Sequence, residues 1–317
     1  MKYRKHEAKE WAKNNMRGVW GATFTPWTPD YKIDEDGFRH NIRHCIDLKI
    51  PGMFVNGLVG EPHSQTMVER KRVLKMAVEE ANGAFLILAQ LGYAGVEDAL
   101  EMTKYAEDIG ADLVGIINPE CYLGMNDEGV YQYYKYIADR VNIGICMFNQ
   151  MAHGYLMSPQ LMSRVADIEN VVALKTYSGQ DEIRWVRFLC RDKIVVSDPY
   201  EENYFISLTV HDQKVHLASP APYLFQSKKV KLIEQYTTFA ASGEFAKALD
   251  AYKKAEQIRQ ALQSITFPGK RFSVFKYWAQ LSGMVGGDGR VRLPGIAITE
   301  AEKQSIKAAF DSTVLCK

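Results

Sequence analysis

Lys175 ends the apolar run Val-Val-Ala-Leu-Lys at residues 171–175. A charged amine in a buried strand is costly, so such a lysine loses its proton or finds a partner. An uncharged lysine amine is the nucleophile that condenses with carbonyl compounds. The competing reading is a strand-end lysine that snorkels to solvent or pairs with an acid. The glycine turn Gly57-Leu58-Val59-Gly60-Glu61 can bring backbone N–H groups close to an anion, or it is a plain loop between a strand and a helix. Tyr122 offers a hydroxyl, Asn149 and His153 follow the run ending in Phe148, and Ser219 lies in Ala-Ser-Pro-Ala-Pro. A lone histidine packs more often than it catalyses. Asp198, Glu201 and Glu202, with Tyr200 among them, open a helical stretch, where acids commonly cap. No His-x-x-x-His pattern, P-loop or dinucleotide fingerprint occurs, so neither a metal nor a nucleotide cofactor is expected.

Short apolar runs at 18–26, 52–57, 85–92, 112–119, 143–150, 171–178, 193–199 and 214–220 read as strands, and each precedes a helical stretch. Near-continuous apolar strands are expected where a parallel sheet is buried on both faces. Eight β-α units predict an α/β fold, a closed (β/α)8 TIM barrel, with a doubly wound open sheet as runner-up. In such a barrel the chemistry sits at the C-terminal strand ends, where the candidates above fall. Three or four further helices follow, separated by Pro-Gly at 268–269 and the glycine-rich stretch 283–295. The expected organisation is a helical extension over 1–17, the barrel over 18–235, and a helical region packed on it over 236–317.

The 317 residues suit one barrel of about 250 residues plus these additions. Hydrophobic residues make up 47% and the net charge is +1, so no electrostatic ground exists for a nucleic-acid or membrane partner. No stretch approaches the roughly 18 apolar residues of a membrane span. The charged N-terminus lacks an apolar signal segment. Cys45, Cys121, Cys146, Cys190 and Cys316 are scattered without ligand spacing. That pattern favours a reducing compartment, hence a cytoplasmic location.

Taken together, GVWGATFTP, the turn at 57–61, NPECY, FNQ and VVALK resemble, in order and spacing, the dihydrodipicolinate synthase / N-acetylneuraminate lyase family of class I aldolases. The resemblance runs from residue 18 into the C-terminal helices. It implies a barrel with a helical cap, a homotetramer or dimer, and a 2-oxo acid such as pyruvate held as a Schiff base on Lys175. It also implies catalysis by Lys175 with Tyr122, and substrate contacts from Gly57, Leu58, Val59, Phe148, Asn149, His153 and Ser219. The departures are informative. The family usually has G-[ST]-T-G-E, but Leu58 and Val59 stand where two hydroxyls help hold a carboxylate. Each lost donor costs on the order of 1–3 kcal/mol if nothing replaces it. Phe148 stands where the family has an acid/base tyrosine, and His153 lies near the usual carboxylate-reading arginine. Lysine biosynthesis and sialic acid cleavage are therefore not expected. The nearest branch is that of hydratase-aldolases acting on benzylidenepyruvates, which the opening GVWGATFTPWTPD and the segment SDPYEENYF resemble. Trp20, Trp27, Phe148 and Tyr155 would then line the mouth, or simply pack. A dehydratase or decarboxylase, and a catalytically silent ligand-binding barrel, are the other readings.

Overall fold

The computed structural model describes residues 1–92, 95–119, 124–150, 155–190, 192–218 and 222–316. Its centre is a parallel eight-stranded sheet: β1 Gly18–Ala22, β2 Gly52–Val55, β3 Leu86–Leu91, β4 Leu113–Ile117, β5 Gly144–Asn149, β6 Val171–Thr176, β7 Val195–Ser197 and β8 Val215–Leu217. The strand order is β7-β6-β5-β4-β3-β2-β1-β8, so the sheet curls into a nearly closed barrel. At the β7–β8 seam, the backbone N–H of Leu217 donates to the Ser197 hydroxyl (2.9 Å). A side chain there takes the place of a strand carbonyl.

The interior is filled by pairing large residues with none. A Cβ on Gly52 would fall 2.3 Å from the Trp20 ring, and one on Gly115 would fall 2.7 Å from both Leu88 and Phe148. These glycines are the space the larger side chains occupy. Helices cover the outside: α2 Glu35–Asp47, α3 Met67–Ala81, α4 Val96–Asp108, α5 Asp127–Ala138, α6 Pro159–Ala166, α7 Gln180–Cys190, α8 Glu201–Val210 and α9 Leu232–Ala241. Their starts carry the expected caps. The Asp34 carboxylate accepts from Gly37 N–H (2.9 Å), and Thr66 and Glu69 form a reciprocal capping box. Gly110 follows α4 with φ +86°, a left-handed helix stop.

The N-terminal helix α1 (Ala8–Asn15) closes the floor of the barrel. Its Ala8 and Ala12, with Met16, pack into the cluster that contains Trp20, Leu113 and Val215. The Tyr3 hydroxyl donates to Asp112 O (2.6 Å) and accepts from Gly144 N–H (2.8 Å), tying the extension to the starts of β4 and β5. At the far end of the chain come α10 Phe245–Gln263, α11 Arg271–Leu281 and α12 Glu300–Asp311. The indole N–H of Trp278 in α11 donates to Leu224 O (2.9 Å). The expected division at 235/236 falls inside α9, which packs on the barrel as its last outer helix.

Candidate active site

A cavity of about 270 Å³ opens at the C-terminal strand ends, where a TIM barrel keeps its chemistry. Lys175 of β6 faces it, together with Phe54 of β2, Phe148 of β5, Gln90 of β3 and Tyr177 just past β6. Leu58 and Val59 contribute from the strand-2 turn, and Arg271, Phe272 and Phe275 from α11. Three larger grooves, about 500, 480 and 440 Å³, lie around Arg17 at the opposite end of the barrel. None of the three is lined by Lys175 or by any of the side chains that face it.

Lys175 is 4% exposed. Its amine donates to the Ala218 carbonyl at 3.3 Å, and it stands 4.7, 5.2 and 5.4 Å from the ring centroids of Phe54, Phe148 and Tyr177. Among the described residues no carboxylate pairs with it. Of the two readings open at the sequence level, snorkelling to solvent does not describe this geometry. Gln90 is 6% exposed, and among the described residues its amide has no hydrogen-bond partner, so it presents free donors and an acceptor to the cavity.

Lys175, Leu58, Val59 and Phe148 therefore meet at one cavity. Gly57 lies against it: a Cβ there would fall 2.8 Å from Gln90 Oε1. Asn149 does not join them. Its side chain turns outward, accepts from Met157 N–H (2.8 Å) and donates to Met157 O (3.3 Å) and Thr176 Oγ1 (3.2 Å), holding the loop after β5. Tyr122, His153 and Ser219 lie outside the described residues.

The aromatic lining differs from expectation. Trp20 sits deep in the barrel against Gly52, Trp27 is buried beside Glu61, and the Tyr155 hydroxyl bonds Asp127. Phe148 alone of that group lines the cavity, joined by Phe54, Tyr177, Phe272 and Phe275. Tyr177 is recoverable from the sequence, because residues two apart on a strand share a face and Lys175 already marks that face. Arg271 and Phe275 have no such signal.

Glu61 ends the strand-2 turn with φ +58° and is buried. Its carboxylate accepts from Trp27 Nε1 (3.0 Å) and Arg292 N–H (2.8 Å), and pairs with the fully buried Lys276 of α11. Burial lowers the Lys276 amine to about 8, although Glu61 pulls the other way. Glu61 is thus spent on holding the turn and has no free oxygen facing substrate. Near β7, Asp198 accepts from Tyr200 N–H (2.9 Å), Gln180 (2.8 Å) and Asn203 (3.0 Å), a capping role. Among the described residues no three His, Cys, Asp or Glu side chains gather as metal ligands, and no helix is long and apolar enough to cross a membrane.

Residues 15–313 match the model of the dihydrodipicolinate synthetase family. The chain belongs to that family. Its members are lyases and aldolases. Within the family, a 4-hydroxy-tetrahydrodipicolinate synthase of Methanococcus maripaludis strain C5 is 28% identical over 305 residues, 95% of this chain and all of that one. One from Clostridium perfringens is 32% identical over 183 residues, 57% of this chain. That match spans 62% of the length of the Clostridium protein. Family structures share the barrel. YagE, an E. coli K12 prophage protein solved with pyruvate, superposes with TM-score 0.82 at 22% identity over 95% of this chain and 99% of its own. CdNal from Clostridium difficile, solved with mannosamine, gives 0.82 at 20% identity over 94% and 99%. Against the family pattern, this member faces its cavity with Leu58, Val59 and Phe148, none of which offers a side-chain polar group.

Proposed function

We propose that this protein is a Schiff-base-forming lyase of the class I aldolase type, acting on a 2-oxo acid through Lys175. The observation that carries the reading is a buried amine, free of any carboxylate among the described residues, facing a cavity at the C-terminal end of the barrel. In the reaction, Nζ attacks the ketone carbon and the carbonyl oxygen leaves as water. The resulting iminium draws electrons from the bond between the carbon next to it and the hydroxyl-bearing carbon beyond; as that hydroxyl gives up its proton the bond breaks, releasing an aldehyde and leaving an enamine. Protonation and hydrolysis return the product ketone and the free lysine; the reverse sequence forms the bond. Proton transfer of this kind contributes about 10²–10⁴ in rate. Phe148 cannot supply it, so Tyr177 is the described candidate, alongside Tyr122, His153 and water.

A second reading concerns the substrate. Five aromatic side chains and four aliphatic ones around the amine favour an aromatic ylidene-pyruvate, as in hydratase-aldolases, over dihydrodipicolinate synthesis or sialic acid cleavage. We further propose a homo-oligomer, tetramer or dimer, in a reducing cytoplasmic setting that keeps Cys45, Cys146, Cys190 and Cys316 as thiols. One fold neighbour is described as a monomeric variant, so sedimentation is the direct check of assembly.

The test is borohydride reduction in the presence of pyruvate or an arylidene pyruvate, followed by peptide mass analysis. An adduct on Lys175 with release of an aldehyde is expected. An adduct with loss of water or carbon dioxide would instead indicate a dehydratase or decarboxylase. Ligand-induced thermal stabilisation with no adduct would indicate a silent binding barrel.

A further inference from the structure

We propose that the side-chain amide of Gln90 donates to the substrate's carboxylate at the strand-2 turn, in place of the hydroxyl donors that Leu58 and Val59 lack. The inference rests on the reading of Lys175 as the amine that binds the ketone of a 2-oxo acid.

Three observations converge on Gln90. It stands beside the turn. Val55 of β2 lies opposite Ala89 of β3, so Gln90 is level with Asn56, the residue before the turn. Its amide packs against Gly57: a Cβ there would fall 2.8 Å from Gln90 Oε1 and 3.7 Å from Cδ. The glycine is the space that the amide occupies.

Secondly, the amide is committed to nothing in the protein. Gln90 is buried, lines the Lys175 cavity and has no hydrogen-bond partner among the described residues. The other buried glutamines are all bound: Gln65 donates to Gly60 O (2.7 Å), Gln213 accepts from Arg187 (2.6 Å) and Gln226 donates to Leu48 O (3.2 Å). A buried amide without a partner is costly, and a ligand that satisfies it recovers that cost.

Thirdly, the lysine amine is turned to this side of the barrel. Of the three rings around it, Phe54 is nearest, at 4.7 Å. Phe54 belongs to β2, the strand that runs into the turn, and it lies opposite Leu88 of β3. Leu88 packs in the barrel interior, and residues two apart on a strand share a face, so Gln90 sits above Leu88 at the level of the cavity. The acid of a 2-oxo acid is bonded directly to the carbon that Nζ attacks, so it stays beside the amine.

Leu58 and Val59 add only hydrocarbon to the cavity. An acid at the turn would meet backbone N–H groups there and no side-chain donor from that segment, an incomplete replacement for water. The Gln90 NH2, reaching across from β3, carries two donors, the complement of a carboxylate.

The experiment is a double-variant cycle on pyruvate binding. It uses wild type, Gln90→Met, Val59→Thr and Gln90→Met/Val59→Thr. Calorimetry reads binding, and borohydride reduction reads the imine. Methionine fills a similar volume without a donor, so Gln90→Met is expected to melt no lower than wild type. Losing a hydrogen bond to a charged group is expected to weaken pyruvate binding by about tenfold or more in Gln90→Met. Val59→Thr returns a hydroxyl to the turn at nearly unchanged volume. In wild type, where the acid is already served, it is expected to change binding less than about threefold; in the double variant it is expected to bring binding back to within about threefold of wild type. A residue that only packs against Gly57 would not be rescued by a hydroxyl at residue 59. Unchanged binding in Gln90→Met, or a Val59→Thr effect that is the same in both backgrounds, would overturn the assignment. Absence of any adduct in wild type, with the rescue retained in calorimetry, would overturn the lysine reading and leave Gln90 as the acid's donor. No binding of pyruvate to wild type would overturn both.

Discussion

Glu61, at the end of the strand-2 turn, and Lys276, in α11, form a fully buried ion pair that fastens the C-terminal helices to the mouth of the barrel. The same α11 carries Arg271 and Phe275 into the cavity, so this pair sets how α11 sits over Lys175. Removing one partner strands the other as a buried charge, which costs about 3–5 kcal/mol. Glu61→Gln is therefore expected to unfold at markedly lower urea than wild type, and Glu61→Gln/Lys276→Met to recover part of the loss. A double variant no more stable than the single one would show that the two residues act independently.

The floor of the barrel makes a separate prediction. Tyr3→Phe deletes a hydroxyl that satisfies both Asp112 O and Gly144 N–H, leaving two buried backbone groups without a partner. A loss of about 1–3 kcal/mol is expected in equilibrium unfolding, with reaction rates on any carbonyl substrate unaltered. A change in rate without a change in stability would mean that the floor communicates with the mouth.

Much of this is legible in the sequence, for definite reasons. Buried parallel strands must be apolar along their whole length, so eight such runs before eight helices leave little choice of fold, and Lys175 stands out as a polar residue ending one of them. What the sequence hides depends on distance along the barrel axis or on partners remote in the chain. Trp20 and Trp27 flank a strand end in sequence, yet one sits a layer below the cavity and the other beneath Glu61. Asn149 lies next to Phe148, but adjacent strand residues face opposite ways, so one lines the cavity and the other holds a loop. Arg271 reaches the site from a helix beyond the barrel, where no local spacing marks it.

Acid sensitivity is expected from His44. It is buried in α2, its Nε2 without a partner among the described residues, and it packs under Gly283 just after α11. Burial foremost, with Lys228 and His40 adding, lowers its imidazole from 6.5 to about 4. A folded value below the unfolded one means the contribution is present in full above 6.5 and is lost as pH falls toward 4. Unfolding free energies from urea titrations at the two ends of that window should differ by on the order of 2 kcal/mol more in wild type than in His44→Leu. Identical pH slopes in the two proteins would remove His44 as the cause.

Lys175→Met tests whether the amine is kept for chemistry at the expense of stability. Methionine fills a similar volume between Phe54 and Phe148 without a polar atom to satisfy, whereas the lysine has one 3.3 Å hydrogen bond. A gain of about 1 kcal/mol in unfolding free energy is expected, with turnover down by about three orders of magnitude or more and no borohydride adduct. Retained turnover would end the case for covalent catalysis.

Tyr177→Phe separates imine formation from proton transfer. Tyr177 shares the cavity with Lys175 and packs edge-on against Tyr200 at 5.6 Å, a contact phenylalanine preserves. If its phenol carries the proton to the enamine, kcat falls by about 10²–10⁴, while the yield of the reduced Lys175 adduct under borohydride stays at the wild-type level. Equal falls in both would make Tyr177 a packing residue for the amine. No fall in either would move the proton step to Tyr122, His153 or a water molecule, and Tyr122→Phe would then be the variant to make.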